Sequence, residues 1–164
     1  MSKKSSPIPI YYNRCADDLR AAGPAAMLVA AYLQYSSNSI GFFLLKFEAV
    51  SRAVGLASDE IKAVLLVLEK IGFLRFDPGT QIVWIIDHAV ETLGYLRPTN
   101  KAAISEATAE FAAIPEACLM RADFLWSYAV MLRLQLPSAA YPSDVNLDSE
   151  DQNRPDFPPK LARV

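Results

Sequence analysis

Gly55-Leu-Ala-Ser58-Asp-Glu-Ile-Lys-Ala-Val-Leu-Leu-Val-Leu-Glu-Lys70-Ile-Gly72 runs directly into Phe73-Leu-Arg-Phe-Asp77-Pro-Gly-Thr80-Gln-Ile-Val-Trp-Ile-Ile86, and the change of pattern at Gly72 decides the architecture. Before it, Ile61, Val64, Leu65, Leu68 and Ile71 recur at helical spacing and define one apolar face. Ser58 is placed to cap that helix by accepting a backbone N–H two or three residues on. Asp59 and Glu60 lie in the first turn, where the helix dipole favours negative charge, and Lys70 lies in the last. Gly72 is positioned to end the helix in the left-handed conformation. After it, Phe73, Leu74 and Phe76 lead into Asp77-Pro78-Gly79-Thr80, where Pro second and Gly third predict a type II turn. Gln81 to Ile86 is rich in β-branched and aromatic residues and reads as the returning strand.

The length of 164 residues suits one domain with a substantial core, and a hydrophobic content of 52% agrees. Lys and Arg number 16 and Asp and Glu 18, giving a net charge of -2. The excess acid lies beyond Leu136, where Asp144, Asp148, Glu150, Asp151 and Asp156 outnumber Arg154, Lys160 and Arg163. The rest is neutral, whereas a dedicated nucleic-acid binder is usually basic. Cys15 and Cys118 are far apart, with only His88 to join them as a soft ligand, so a structural metal site is not expected. Buried free thiols are the simpler reading. Met1 to Ser6 lacks a following apolar core of signal-peptide length. The run from Pro24 to Leu33 is too short to span a membrane. A soluble, cytoplasmic protein without a membrane partner is expected.

Outside the central stretch, Ile8 to Tyr12 reads as an extended arm, since prolines at 7 and 9 oppose a helix. Asp17 to Ala22 forms a short helical turn. Gly23-Pro24 starts a helix through Tyr35 that is apolar on nearly every face and therefore expected to be buried all round. Gly41 to Leu45 is a short strand or extended piece, and Lys46 to Val54 a short helix ended by Gly55. Two helices joined by a tight glycine-containing turn, followed by a hairpin, follow the winged helix-turn-helix plan. Asp87 is placed to cap a short helix from His88 to Leu93. Thr99 or Asn100 caps another to about Ile114, and a last helix runs from about Cys118 to Leu134. The expected fold is mainly α (α+β): an arm at 1–12, a winged-helix domain at 13–94 with a small antiparallel wing sheet, and a helical extension at 95–136. An acidic, proline-rich tail at 137–164 is expected to be disordered.

Leu65-Leu-Val-Leu-Glu-Lys-Ile-Gly72-Phe-Leu-Arg-Phe-Asp77 with Ile82-Val-Trp-Ile85 resembles the winged-helix module of phage- and plasmid-type replication initiator proteins and their bacterial relatives. Arg97-Pro98-Thr99-Asn100-Lys101 is similar to the connector that follows there, and Ile114-Pro115 to a later break. The likeness covers about residues 13–134. It implies a non-enzymatic protein that binds double-stranded DNA in replication or transcription.

The residues themselves leave two classes open. The outer face of the helix should hold Asp59, Lys62, Ala63, Leu66, Glu69 and Lys70, two lysines against two acids. A DNA-reading helix needs donors for base edges and cations for phosphates. Candidate DNA contacts are Ser58, Lys62, Lys70, Arg75, Lys46, Arg52, Arg97 and Lys101. The alternative is a protein-assembly module, a homodimer among them. Its candidate contacts are Leu66 and the Phe124, Tyr128 and Met131 stripe, which reads equally as core. Trp84 and Trp126 are most simply core aromatics, and Tyr11, Tyr12 and Tyr32 arm or core packing. His88 reads as a capping or surface residue. No nucleophile, phosphate-loop or dinucleotide motif is present, so no catalytic residue, cofactor or small-molecule substrate is expected.

Overall fold

The computed structural model describes residues 15–136; the expected arm at 1–12, including Tyr11 and Tyr12, and the expected tail at 137–164 lie outside these residues. The fold is mixed α+β. Seven helices and three strands are described, in the order α1 (Ala16–Ala21), α2 (Pro24–Ser36), β1 (Phe42–Leu44), α3 (Phe47–Val54), α4 (Ser58–Lys70), β2 (Leu74–Asp77), β3 (Ile82–Ile85), α5 (His88–Leu93), α6 (Lys101–Ala112) and α7 (Arg121–Leu132). The chain divides into two compact units, one up to Thr92 and one from Leu93.

In the first unit, β3 lies between β1 and β2 and is antiparallel to both. One sheet face, with Leu74, Val83 and Ile85, joins a core with Val29, Leu33, Val50, Ile61, Leu65 and Leu68 from the helices. The other face carries Phe42 opposite Trp84, with rings stacked 5.9 Å apart and Trp84 fully buried. Both outer edges are covered locally. Asn38 Oδ1 accepts the Phe42 N–H at 2.7 Å, and the Asn38 N–H donates to the Phe42 carbonyl. Glu69 Oε1 accepts the Phe76 N–H at 3.3 Å on the β2 side. Satisfying outward edge groups in this way blunts strand addition.

The stop at Gly72 follows the expected chemistry. Gly72 has φ +75, its N–H donates to the Glu69 carbonyl, and the Phe73 N–H reaches back to Leu68 at 2.9 Å. This pair of bonds uses two carbonyls that the helix end would otherwise leave open. It also aims the chain into β2 with Phe73 fully buried.

Four local expectations are corrected. Ser58 is the first residue of α4 and does not cap it; Glu60 reaches back instead, its carboxylate accepting the Ala57 N–H at 2.7 Å. The hairpin is not a type II turn, because its left-handed residue is Gln81 (φ +58) and not Gly79. Asp77 explains the difference: Oδ1 accepts the Gly79 N–H at 3.0 Å and Oδ2 the Thr80 hydroxyl at 2.7 Å. Folding that carboxylate over the turn moves the left-handed step to the residue that rejoins β3. Nor is α2 buried all round, since Leu28 is 47% and Tyr35 88% exposed. Its Ala26, Val29, Ala30 and Leu33 stripe is buried, with Gln34 beside it, and the helix packs with α1, α3 and α4. Finally, α7 begins at Arg121, later than expected, because Leu119 and Met120 form a turn ahead of it.

In the second unit, α6 buries Ile104, Ala107 and Phe111, and α7 buries Phe124, Leu125, Tyr128, Met131 and Leu132. Phe111 stacks on Phe124 at 5.7 Å, and Phe124 meets Tyr128 at 5.1 Å. Phe124, Tyr128 and Met131 are therefore core residues and offer no open dimer seam. Trp126 is the reverse case: expected in the core, it is 55% exposed. The Arg121 guanidinium lies over the Phe111 ring and donates to the carbonyls of Phe111 and Ile114, closing the end of α6 with a cation. Cys15 and Cys118 are buried free thiols.

Candidate nucleic-acid interface

The three residues between α3 and α4 set the angle of the two helices. Gly55 ends α3 at φ +73, with its N–H donating to Ser51 at 2.8 Å. The Ser51 hydroxyl donates to the Leu56 carbonyl at 2.6 Å, so one side chain ties the last turn of α3 to the turn beyond it. Ile61, Leu65 and Leu68 then anchor the inner face of α4. Its outer face presents Asp59, Lys62, Ala63, Leu66, Glu69 and Lys70, all exposed as expected. Val67 joins them at 40% exposure, a residue the periodicity did not single out.

The charges on this face are partly engaged. Lys62 Nζ lies 2.9 Å from Asp59 Oδ1, and the hydrogen bond and charge of Lys62 hold the Asp59 carboxyl below its ordinary value. Both groups are exposed, so the pair is weak and reversible. The same ammonium lies 5.7 Å from the centre of the Phe47 ring, which meets Phe76 of β2 edge-on at 6.2 Å. Lys62 thus sits where α4, the start of α3 and the hairpin converge. Lys46, exposed, is the residue immediately before α3 at that same point. Arg52 is exposed on the last turn of α3.

Arg75 lies apart from this group. Arg75 is half-buried on β2 opposite Trp84, and strand alternation puts it on the sheet face away from α4. It does not join Lys62. Arg97 and Lys101 are exposed in the second unit. The hairpin tip, Pro78 to Gln81, contains no Lys or Arg. Residues 15–92 carry six basic and nine acidic side chains. The surface around α4 is therefore a small cationic group within an acidic unit, beside an exposed Leu66 and Val67.

His88 is buried, contrary to the expectation of a capping or surface residue. Its Nε2 lies 3.4 Å from Ser37 Oγ, at the C-terminal end of α2. The Ser37 hydroxyl also donates to the Gln34 carbonyl at 3.1 Å. Among the described residues, no group of three or more His, Cys, Asp or Glu side chains is placed to hold a metal ion. Among them, too, no helix is long and apolar enough to cross a membrane.

Comparison with family models, curated proteins and solved structures finds no match to this chain. Ser51, Glu60, Glu69 and Asp77 are the structural side chains around the site that pattern reading passed over. A polar residue within three of a turn, or a Glu three residues after a helix start, is the local signal for such bonds.

Proposed function

We propose that residues 15–92 are a winged helix-turn-helix that binds duplex DNA, in a replication- or transcription-associated role without catalysis. The observation that carries this reading is the α3–turn–α4 pair followed by the β2–β3 hairpin, with β1 closing the sheet beside β3. In that plan the second helix of the pair is the one that enters the major groove. Here that helix is α4, and Lys62, Lys46, Arg52 and Lys70 are the cations on or beside it. Contact through three or four of them gives a shallow salt slope of about -2.7 to -3.6, an affinity loss of about 40- to 150-fold between 50 and 200 mM salt. Weak acidic competition within the unit makes the binding modest and chiefly to the phosphate backbone.

The test is fluorescence anisotropy of random-sequence duplex DNA titrated with the whole protein across that salt range. Binding with a slope in that interval, reduced in Lys62→Ala and Lys46→Ala, supports the reading. No binding at low salt, or equal binding by both variants, removes it.

A second reading is favoured by Leu66, 68% exposed, and Val67, 40% exposed, at the centre of the same face. On this reading α4 docks a protein partner through its apolar centre, with the flanking charges at the rim. Leu66→Lys separates the two, strengthening DNA binding in the first case and abolishing assembly in the second.

A further inference from the structure

We infer that the chain's own N-terminal segment, Ile8-Pro-Ile-Tyr-Tyr12, docks across the outer face of α4 and covers Val67 and Leu66. The argument starts from where that segment joins the fold. Cys15, the first described residue, is buried, and its thiol donates to the Ile71 carbonyl at 3.1 Å. Ile71 is the C-terminal cap of α4, so the fourteen preceding residues leave from that end of the helix.

Two ways along α4 from that point are closed. Its inner face is filled by Ile61, Leu65 and Leu68 in the core. The flank with Glu69 is taken by β2, whose Phe76 N–H that carboxylate accepts. The remaining flank ends in exposed side chains. Val64 and Ile71 are half-buried there against the core, and Val67, one turn before Ile71, is 40% exposed. Ala63 and Leu66, both exposed, continue the apolar surface across the helix, Leu66 lying about 100° round the axis from Val67.

Length, composition and charge fit this occupant. With 13 residues, α4 is about 20 Å long. Residues 8–14 span about the same at the ~3.1 Å per residue of the polyproline conformation, which Pro7 and Pro9 favour. Ile8, Ile10, Tyr11 and Tyr12 bring apolar and aromatic area with no acid among them. Lys3 and Lys4 then follow toward the end of α4 that carries Asp59 and Glu60. A segment so placed occupies the face that would enter the major groove, and DNA must displace it. This masking rests on the DNA reading proposed above; the docking does not.

Photocrosslinking of the whole chain carrying Tyr12→benzoylphenylalanine tests this, with the adducts mapped after trypsin digestion. The expected result is an adduct within one chain on peptide 63–70, which holds Leu66 and Val67, and its loss in Val67→Asp. Ile8→Ser with Ile10→Ser, two changes ahead of the first helix, should also abolish it, which decides the matter if Val67→Asp does not fold. The same pair of changes should raise DNA affinity by about fivefold or more, the low end of a coupling between competing sites. An adduct on peptide 21–46, which holds the exposed Leu28 of α2, on the second unit, or on nothing beyond the residues next to Tyr12 would overturn the inference. So would an adduct joining two chains, read from a mixture of isotopically heavy and light protein, which would make a second copy the occupant. DNA affinity unmoved by the paired serine changes would overturn the masking. No DNA binding by any variant, with the 63–70 adduct present, would remove the DNA reading and support the docking.

Discussion

Replacing Asp77 by alanine should loosen the hairpin that follows α4, and the structure sets the size of the effect. The side chain is 97% buried in the sense that Asp77 retains 3% exposure, and its two oxygens take different partners, the Gly79 N–H and the Thr80 hydroxyl. Hydrogen bonds to a charged group contribute about 1.5–3 kcal/mol each. Gly79 is exposed and Thr80 half-buried, so water replaces much of what is lost there. The net cost should therefore fall below the roughly 3 kcal/mol lower bound for two such bonds, at about 2 kcal/mol for the pair. Asp77→Asn keeps the acceptor for Gly79 and should cost about half as much, as should Thr80→Ala. The double variant Asp77→Ala with Thr80→Ala should cost little more than Asp77→Ala alone, because the two side chains share one bond. Urea unfolding followed by tryptophan fluorescence measures this, in a Trp126→Phe background so that buried Trp84, paired with Arg75 in the same hairpin, is the reporter. An unmoved midpoint in Asp77→Ala would refute the reasoning and assign the turn to strand pairing alone. Fully additive losses would show that Asp77 and Thr80 act separately.

Other outcomes follow from single features. Gly72→Ala meets no atom within 4 Å but must hold φ +75, so it should destabilise by about 1–2 kcal/mol through backbone strain alone, read from the same urea midpoint. Asp59→Asn releases Lys62 from its ion pair and removes a charge that repels phosphate; DNA affinity should rise at low salt and the salt slope steepen, and an unchanged slope would take Lys62 out of the interface. Glu91 has its carboxyl raised above the ordinary value of 4.5 by partial burial and then by the charge of Asp87. The folded chain therefore holds that proton more tightly than the unfolded chain, and stability is lost as pH rises from 4.5 through the raised value. Glu91→Gln should remove this slope and gain relative to the parent above it, as thermal unfolding at pH 4 and 7 would show. Gly41→Ala should be the most damaging glycine change, since an added Cβ would lie 2.9 Å from His88 Cβ and from the Ile85 carbonyl at φ +89.

Much of the first unit was legible from local chemistry. Gly55 and Gly72 mark the ends of α3 and α4 because only glycine takes the left-handed step without strain, and the bond pattern at Gly72 confirms the stop. The inner face of α4 was legible for a similar reason: three- and four-residue spacing fixes which side chains share a face before any partner is known. Even the acid–base balance of the outer face could be counted. Its pairing could not, because whether Lys62 leans on Asp59 or on Phe47 depends on where α3 lies.

Tertiary structure decided the rest. An aromatic residue in a helix is consistent with either side of it, and α7 places Phe124 in the core but Trp126 outside, although a single residue separates them. Similarly, the apolar composition of α2 gave no sign that Tyr35 would be exposed, since composition reports how much surface can be buried and not how much the neighbouring elements cover. Arg75 and Phe76 separate for a reason internal to strands: adjacent side chains point to opposite faces, and only the packing of the sheet determines which face meets α4. Glu69 is the clearest instance. In sequence it is one more charge on a solvated helix face. In the fold it is the acceptor for an edge N–H seven residues away, because the left-handed step at Gly72 turns β2 back alongside the helix that Glu69 belongs to. Spacing along the chain determines faces and stops; which faces meet, and which charges are spent in meeting, is settled only when the elements pack.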